Sequence, residues 1–390
     1  MSTQAQAPAA FGINDFYNVA AGAAVVGSGG GGSYVDAVGV LKELALTEFA
    51  PVPVAPYAGG ANAFVVALMG SPDAGQSLHL QDVKGAIYNT MQALENASAT
   101  LYTWAVPVEI GALNSLIPLI AGVMDQEITV VDGDGCGRAV PQLVNTTYSG
   151  AAGLPVSPCI LGNQAIDPEL AQSTVLNVST TAQAEGLARG VVSEDFGSIA
   201  GFAAWSSLAS NNYALTGNYI TGTLTQAWQL GQYLLGSSSP PSAADVASCI
   251  GGISGRATSV VASGLYITQV SQTTAGGFDT GIVRLDNAPA GQPSSATFYL
   301  YNTNESLILY SASATAPLVI APDSICYYSE STGRGFSNAA DDLAPYLGTT
   351  QQVSIIKITA LPQLCQAAGV MEAFAALLLK IGYAGPLPLP

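Results

Sequence analysis

The chain has 390 residues, 49% of them hydrophobic and only 9% charged, with a formal net charge of −17 at pH 7. That length exceeds the roughly 250–300 residues at which single cores stop growing, so two domains are expected. The negative balance repels phosphate backbones and anionic bilayers, which excludes nucleic-acid and membrane-surface binding as default functions.

The stretch DFYNVAAGAAVVG reads as a helix ended by the glycine run GSGGGGS at 27–33. A second helix follows over about 33–47, where Ser33 and Asp36 have capping-box spacing. Residues 61–70 (ANAFVVALMG) form a buried strand stopped by Gly70, Ser71 and Pro72, and 81–97 a helix. Residues 100–110 are a strand, 114–125 a helix with Pro118 tolerated near its first turn, and 127–133 another strand. Strands alternating with helices at this spacing imply a parallel sheet with right-handed crossovers. Ligands bind such sheets outside the carboxyl ends of the strands. Three of those ends bring Gly70, then Glu109 with Asn114, then Asp132 and Asp134, toward one edge.

The middle, 165–252, is mixed, with helices at 222–236 and 242–250 around a GSSSPPS break. From about 257 the pattern is β-rich, with strand-like stretches at 259–272, 277–287, 295–311, 317–330 and 352–362. A last helix covers 364–382. The expectation is an α/β N-terminal domain with a parallel sheet over 1–165 and a mixed, then β-rich, domain over 166–390.

No apolar run is long enough to span a bilayer, and the N-terminus lacks a basic start and apolar core. The cytoplasm is therefore the default location, with export by a route without a cleaved signal left open. Five scattered cysteines without a CxxC pair argue against a disulfide scaffold or a structural zinc site. A single histidine, His79, excludes any two-histidine mechanism and is more often structural than catalytic.

The densest polar stretch is VVDGDGCGRAVPQL at 130–143. It is no EF-hand, because Cys136 and Leu143 stand where that loop needs oxygen ligands. Two readings stay open: a turn shaped by Asp and Gly, or a site in which Arg138 clamps a carboxylate or neutralises Asp132 and Asp134. Cys136, beside Arg138 and glycine amides, is a candidate for a lowered pKa, against a plain packing role. Glu109 either pairs with the following helix N-terminus, which Asn114 would cap, or acts as a general base with a raised pKa. A divalent metal held by Asp132, Asp134 and Glu109 is compatible with the residue types, although no spacing demands it. The glycines at 27–32 lack the strand and the Gly-Lys-Ser/Thr ending of nucleotide loops; they either cradle an anion on helix amides, face a substrate, or simply turn the chain. The break at Asn304 and Glu305 is a bulge or turn that could also lend a site residue.

GSGGGGSY, VEIGALNSLIPL, VVDGDGCGRAVPQL, GGFDTGIVRL, YNTNESLI and APDSI occur in this order along the chain. On these motifs it resembles the S-methyl-thiohydantoin desulfurase family, often found beside hydantoinases. The resemblance implies an α/β N-terminal domain, a β-rich C-terminal domain and a site between them that works on cyclic amides of the hydantoin type. It places catalytic candidates at Glu109, Asp132, Asp134 and Arg138, and substrate-binding candidates at Gly29, Gly30, Gly31, Gly32, Asn114, Asn304 and Glu305. Ala112, Cys136 and Gln142 depart from the family pattern. The expected function is hydrolase-type chemistry on hydantoin or S-methyl-thiohydantoin rings, with water activated by a carboxylate. The alternative, suggested by sparse charge and these departures, is a self-assembling structural subunit that reuses the fold. Self-association is expected under either reading.

Overall fold

The computed structural model describes residues 6–70 and 78–388, so the Ser71-Pro72 strand stop lies outside the described residues. In chain order the first elements are β1 (Ala10–Phe11), α1 (Ile13–Val26), α2 (Tyr34–Leu44), β2 (Val52–Ala55), β3 (Ala63–Gly70), α3 (Leu80–Ser98), β4 (Trp104–Pro107), α4 (Leu116–Met124), β5 (Thr129–Val131) and β6 (Gly133–Asp134). Next come β7 (Cys159–Gly162), β8 (Ser173–Leu176), α5 (Thr181–Glu194), β9 (Ile199–Ser207), β10 (Ile220–Thr221), α6 (Thr223–Gly236) and α7 (Ala243–Ser254). The last part holds β11 (Thr258–Ala275), β12 (Phe278–Asp286), β13 (Thr297–Thr303), β14 (Glu305–Ser311), β15 (Val319–Ile320), β16 (Ser324–Tyr328), α8 (Ala340–Leu343), β17 (Val353–Ile358), α9 (Pro362–Gln366) and α10 (Val370–Lys380).

The first sheet has eight strands in the order β1-β2-β5-β4-β3-β9-β7-β8. Its centre, β2-β5-β4-β3, is parallel, as alternating strands and helices predict, while β9, β7 and β8 extend it antiparallel. Strand β3 shows why its sequence is almost wholly apolar: Phe64, Val66 and Leu68 enter the core on one face, and Val65, Ala67 and Met69 the core on the other. Strand β9 is buried at all nine positions for the same reason. Such a run has no alternation to announce a strand, which is why the middle of the chain reads as mixed. Strands β8 and β9 both lie beyond residue 165, so the first sheet continues past that point. The second sheet is fully antiparallel, with seven strands in the order β15-β14-β13-β12-β11-β17-β16. The single β stretch expected over 295–311 is a hairpin, β13 and β14, that turns over at Asn304 in the left-handed region at φ 54°. Among the described residues no helix is long and apolar enough to cross a membrane.

Helix α6 lies directly against α1. Gly22 faces the carbonyl of Ala227, and Gly231 the carbonyl of Asn18, so closely that a Cβ at either place would enter the oxygen. Trp228 on α6 donates to Asp15 at 2.7 Å. The Ser33 cap is as expected: its hydroxyl accepts from the Asp36 N–H at 3.2 Å.

Three ties join the two sheets. The guanidinium of Arg138, fully buried, donates to the carbonyls of Ala139, Pro322, Asp323 and Ser306 at 2.8, 3.1, 2.9 and 3.1 Å. The carboxylate of Asp342, in α8, accepts from the N–H groups of Tyr34 and Val35 at the start of α2. The glycine loop itself is tied in by the Ser306 N–H donating to the Ser28 carbonyl and the Asn338 N–H to the Gly29 carbonyl, both at 2.8 Å.

Alanine normally stabilises a helix over glycine by about 1 kcal/mol. At Gly231 the collision with α1 reverses the sign: Gly231→Ala should lower stability by about 1–3 kcal/mol in urea unfolding. Gly190→Ala on α5, with open space around the position, should raise it by about 0.5–1 kcal/mol. Arg138→Met strands three carbonyls of the second sheet, and the same measurement should show a loss of at least about 3 kcal/mol.

Candidate functional site

The carboxyl ends of β3 and β4, the glycine loop before α2, the loop following Val140, helix α5 and the β13–β14 turn enclose one cleft. Its water-accessible space is about 90 Å³. Glu109, Asn114, Gly31, Gly32, Asn304 and Glu305, six of the positions expected from sequence, line it.

Glu109 follows β4 and is 6% exposed. Its Oε1 accepts from the Asn114 side-chain amide at 2.7 Å and its Oε2 from the Val140 N–H at 2.8 Å. Asn114 does not cap α4: its Oδ1 accepts from the Leu68 N–H at 3.0 Å, and Ser115 takes the cap position without a capping bond, its hydroxyl accepting instead from the Gly111 N–H at 3.2 Å. The amide is therefore held between β3 and Glu109, and Glu109 does not pair with the helix N-terminus. Burial pushes the Glu109 carboxyl up to about 7, opposed by the Val140 and Asn114 donors.

Glu305 enters from the second sheet and is 3% exposed. It packs where Gly30 has no side chain; a Cβ there would occupy its carboxyl. Its Oε2 has no hydrogen-bond partner in the protein. Burial, and then repulsion from Glu109, hold its pKa well above the carboxylate range. Neighbouring Asn304 fixes the turn, accepting from the Asp279 N–H through Oδ1 at 2.8 Å.

The remaining candidates lie outside the cleft. Asp132 accepts from the N–H and hydroxyl of Thr225, at 2.9 and 2.7 Å, and so holds the first turn of α6. Asp134 accepts from the N–H groups of Cys136 and Gly137 and closes its own turn. Burial raises its carboxyl to about 7. The topology explains their separation from the cleft: β5 lies on the far side of β4 from β3, and the chain then pairs β6 with β10. Arg138 is no substrate clamp, since its donors go to main-chain carbonyls. Gly29 packs against Asn338 and Ser306 rather than the cleft. No helix amide at the glycine loop awaits an anion, because Asp342 and Ser33 already occupy the first turn of α2. Burial raises the Cys136 thiol well above its ordinary value, outweighing Arg138, so it is a packed side chain and not an activated one. His79 precedes α3 and meets Glu43 at 2.7 Å, exposed and remote from the cleft lining.

Asp132, Asp134 and Glu109 do not form a metal donor set: each has its oxygens committed elsewhere, and among the described residues no three His, Cys, Asp or Glu groups converge. Sequence reading did not place Asp36, Glu185, Arg189, Met69 or Phe202 at the site, and noted Gln142 only as a departure from the family pattern; all six line the cleft. One signal for the Glu185–Arg189 pair was present, namely opposite charges at i and i+4 in AQAEGLARG behind a Thr180–Gln183 capping box.

A protein of Chromobacterium violaceum, solved by X-ray crystallography, is 24% identical to this chain, with a TM-score of 0.78 over 97% of this chain and 98% of that one. That likeness is one of fold. A comparison with curated proteins gives no match. The S-Me-THD-like N-terminal domain matches residues 14–169 and the S-Me-THD-like C-terminal domain residues 179–373. Matched in order by both halves of one family over nearly its whole length, as its motifs led us to expect, the chain belongs to the S-Me-THD-like family.

Proposed function

We propose that the chain is a hydrolase-type enzyme acting on S-methyl-thiohydantoin or related hydantoin rings, with Glu109 as the group that activates water. The observation that carries this reading is a pair of desolvated carboxyls, Glu109 and Glu305, facing one small cleft, with the Glu305 Oε2 unpartnered. The family's name supports the substrate class. The space is of the right order: about 90 Å³ would hold roughly six to nine waters, comparable to a five-membered ring with its substituent atoms.

Two carboxyls in different surroundings divide the labour of acid and base: both oxygens of Glu109 accept N–H groups, which favours its ionised form, whereas Glu305 is buried with Oε2 unpartnered, which favours its protonated form. Glu109, near 7, takes a proton from water as the oxygen adds to the ring carbon bearing the S-methyl group. The carbon–sulfur bond then breaks. The departing methanethiolate takes the proton of Glu305, whose carboxyl stays protonated to higher pH, and the added hydroxyl passes its proton to the adjacent ring nitrogen, leaving a carbonyl in place of sulfur. Transfer of the Glu109 proton to Glu305, directly or through water, restores both groups. The Gly31 and Gly32 backbone and the Asn304 side of the cleft position the ring. No metal or redox partner is needed for this balance.

Glu109→Gln should lower kcat/KM by about 10²–10⁴-fold on S-methyl-thiohydantoin, read as methanethiol release. Asp132→Ala should leave kcat near wild type, with a stability loss of about 0.5–2 kcal/mol from the unheld α6 terminus. Because Glu109 must be ionised, kcat/KM should rise with pH up to about 7 and then level, and Glu109→Gln should abolish that limb. Turnover unchanged in Glu109→Gln would refute the assignment.

A second reading, the self-assembling structural subunit, is favoured by the 9% charged composition and by exposed Leu46, Leu101, Ile166, Leu170 and Leu379. Light scattering and negative-stain microscopy decide it: extended filaments, tubes or sheets at micromolar concentration support it, and discrete small particles count against it. A small closed oligomer is compatible with the enzymatic reading.

A further inference from the structure

The cleft is electrostatically one-sided. Asp36, Glu109, Glu185 and Glu305 line it, against Arg189 as the one basic side chain among the described lining residues. Arg189 is already committed. Its Nε and Nη2 donate to Glu185 at 3.0 and 2.8 Å, Nη2 also to the Pro141 carbonyl at 2.7 Å, and Nη1 to the Gly277 carbonyl. One face of the guanidinium lies 3.5 Å from the centre of the Phe278 ring. It therefore presents no free pair of N–H groups to fork a carboxylate. Arg138 is turned into the joint between the sheets. Much of the remaining lining is apolar, with Met69, Ile199 and Phe202 buried to 7%, 6% and 0% exposure.

We infer that the ring taken by this cleft carries an uncharged, apolar substituent seated against the exposed edges of Met69 and Ile199, and that rings with an anionic substituent are rejected. An anion entering here would lose its water and meet the acidic Asp36 and Glu109 with no free cation in return, since Arg189 is spent on Glu185 and Glu305 keeps its proton. An apolar group loses no hydrogen bond, and each methylene it places against such a wall is worth about 10- to 200-fold in selection. The site thus works by exclusion as much as by attraction. This inference rests on the cleft being the ring-binding site proposed above, and it goes further by naming which rings fit.

The test uses the intact wild-type protein and three S-methyl-thiohydantoins, substituted with isobutyl, carbamoylmethyl or carboxymethyl. The last two are nearly equal in shape, so their ratio isolates charge. Binding of the three corresponding hydantoins, which lack the leaving group, is measured by calorimetry. The isobutyl compound should exceed the carboxymethyl compound by at least about 10²-fold in kcat/KM, and the hydantoins should bind in the same order. Gln142→Lys places a cation at the half-buried rim and should narrow the carbamoylmethyl-to-carboxymethyl ratio by roughly tenfold. Carboxymethyl compounds that bind and react as well as isobutyl ones would overturn the selectivity and leave the hydrolase reading standing. Hydantoins bound in the expected order without turnover of any thiohydantoin would do the reverse. An unaltered ratio in folded Gln142→Lys would overturn the electrostatic basis.

Discussion

The geometry of the cleft depends on one buried guanidinium. Arg138 leaves the loop after β6 and binds three carbonyls of the second sheet, at Ser306, Pro322 and Asp323. A charged donor makes stronger bonds than a neutral one, and each carbonyl left bare in the interior would cost about 1–3 kcal/mol. The segment beginning at Ser306 is therefore locked to the first sheet. Glu305, one residue earlier, is held against Gly30 and into the cleft by that lock. The residue that looked like a ligand clamp acts on the site through the backbone it anchors.

The same loop supports the opposite carboxyl. Two residues beyond Arg138, the Val140 N–H reaches Glu109, while Asn114 binds Glu109 with its amide nitrogen and Leu68 with its oxygen. The Leu68 N–H can only donate, so it sets which end of the Asn114 amide faces Glu109. Glu109 thus has both oxygens held, whereas Glu305 keeps one unpartnered. Desolvating two carboxyls toward one cavity opposes folding, and such costs are concentrated at functional sites where stability is exchanged for chemistry.

The glycine loop has a related logic. A helix N-terminus preceded by glycines suits an anion, and an anion does sit there: the carboxylate of Asp342, from the second part of the chain. The site on α2 is filled by the protein itself and serves to join the two sheets. What remains for a ligand is the side of the loop at Gly31 and Gly32, which pack on Gly111 and Leu113 too closely for a side chain and so bring the loop backbone to the cleft wall.

Local pattern was enough for much of this protein. Helical periodicity, the Ser33 cap, the alternation of strands with helices before residue 135 and the β-rich stretches after 257 follow from backbone propensity and from neighbours a few residues apart. The family resemblance, carried by motifs and not by propensity, implied Glu109, Asn114, Asn304 and Glu305, which the fold brings to one cleft. Pairings between distant segments were not legible. β9 has no alternation because both its faces are buried, and its place between β3 and β7 carries the first sheet beyond residue 165. Asp132, Asp134 and Arg138 sit in one short polar stretch that follows a strand of the same parallel sheet as Glu109, so converging strand ends suggested one site. Strand order decided otherwise: β5 lies beyond β4, the two aspartates that follow it are spent on a helix end and a turn, and Arg138 is spent on carbonyls more than 160 residues away. Residue types are set by the sequence, but which of their polar atoms remain free for a ligand is decided only when distant backbone arrives to take the others.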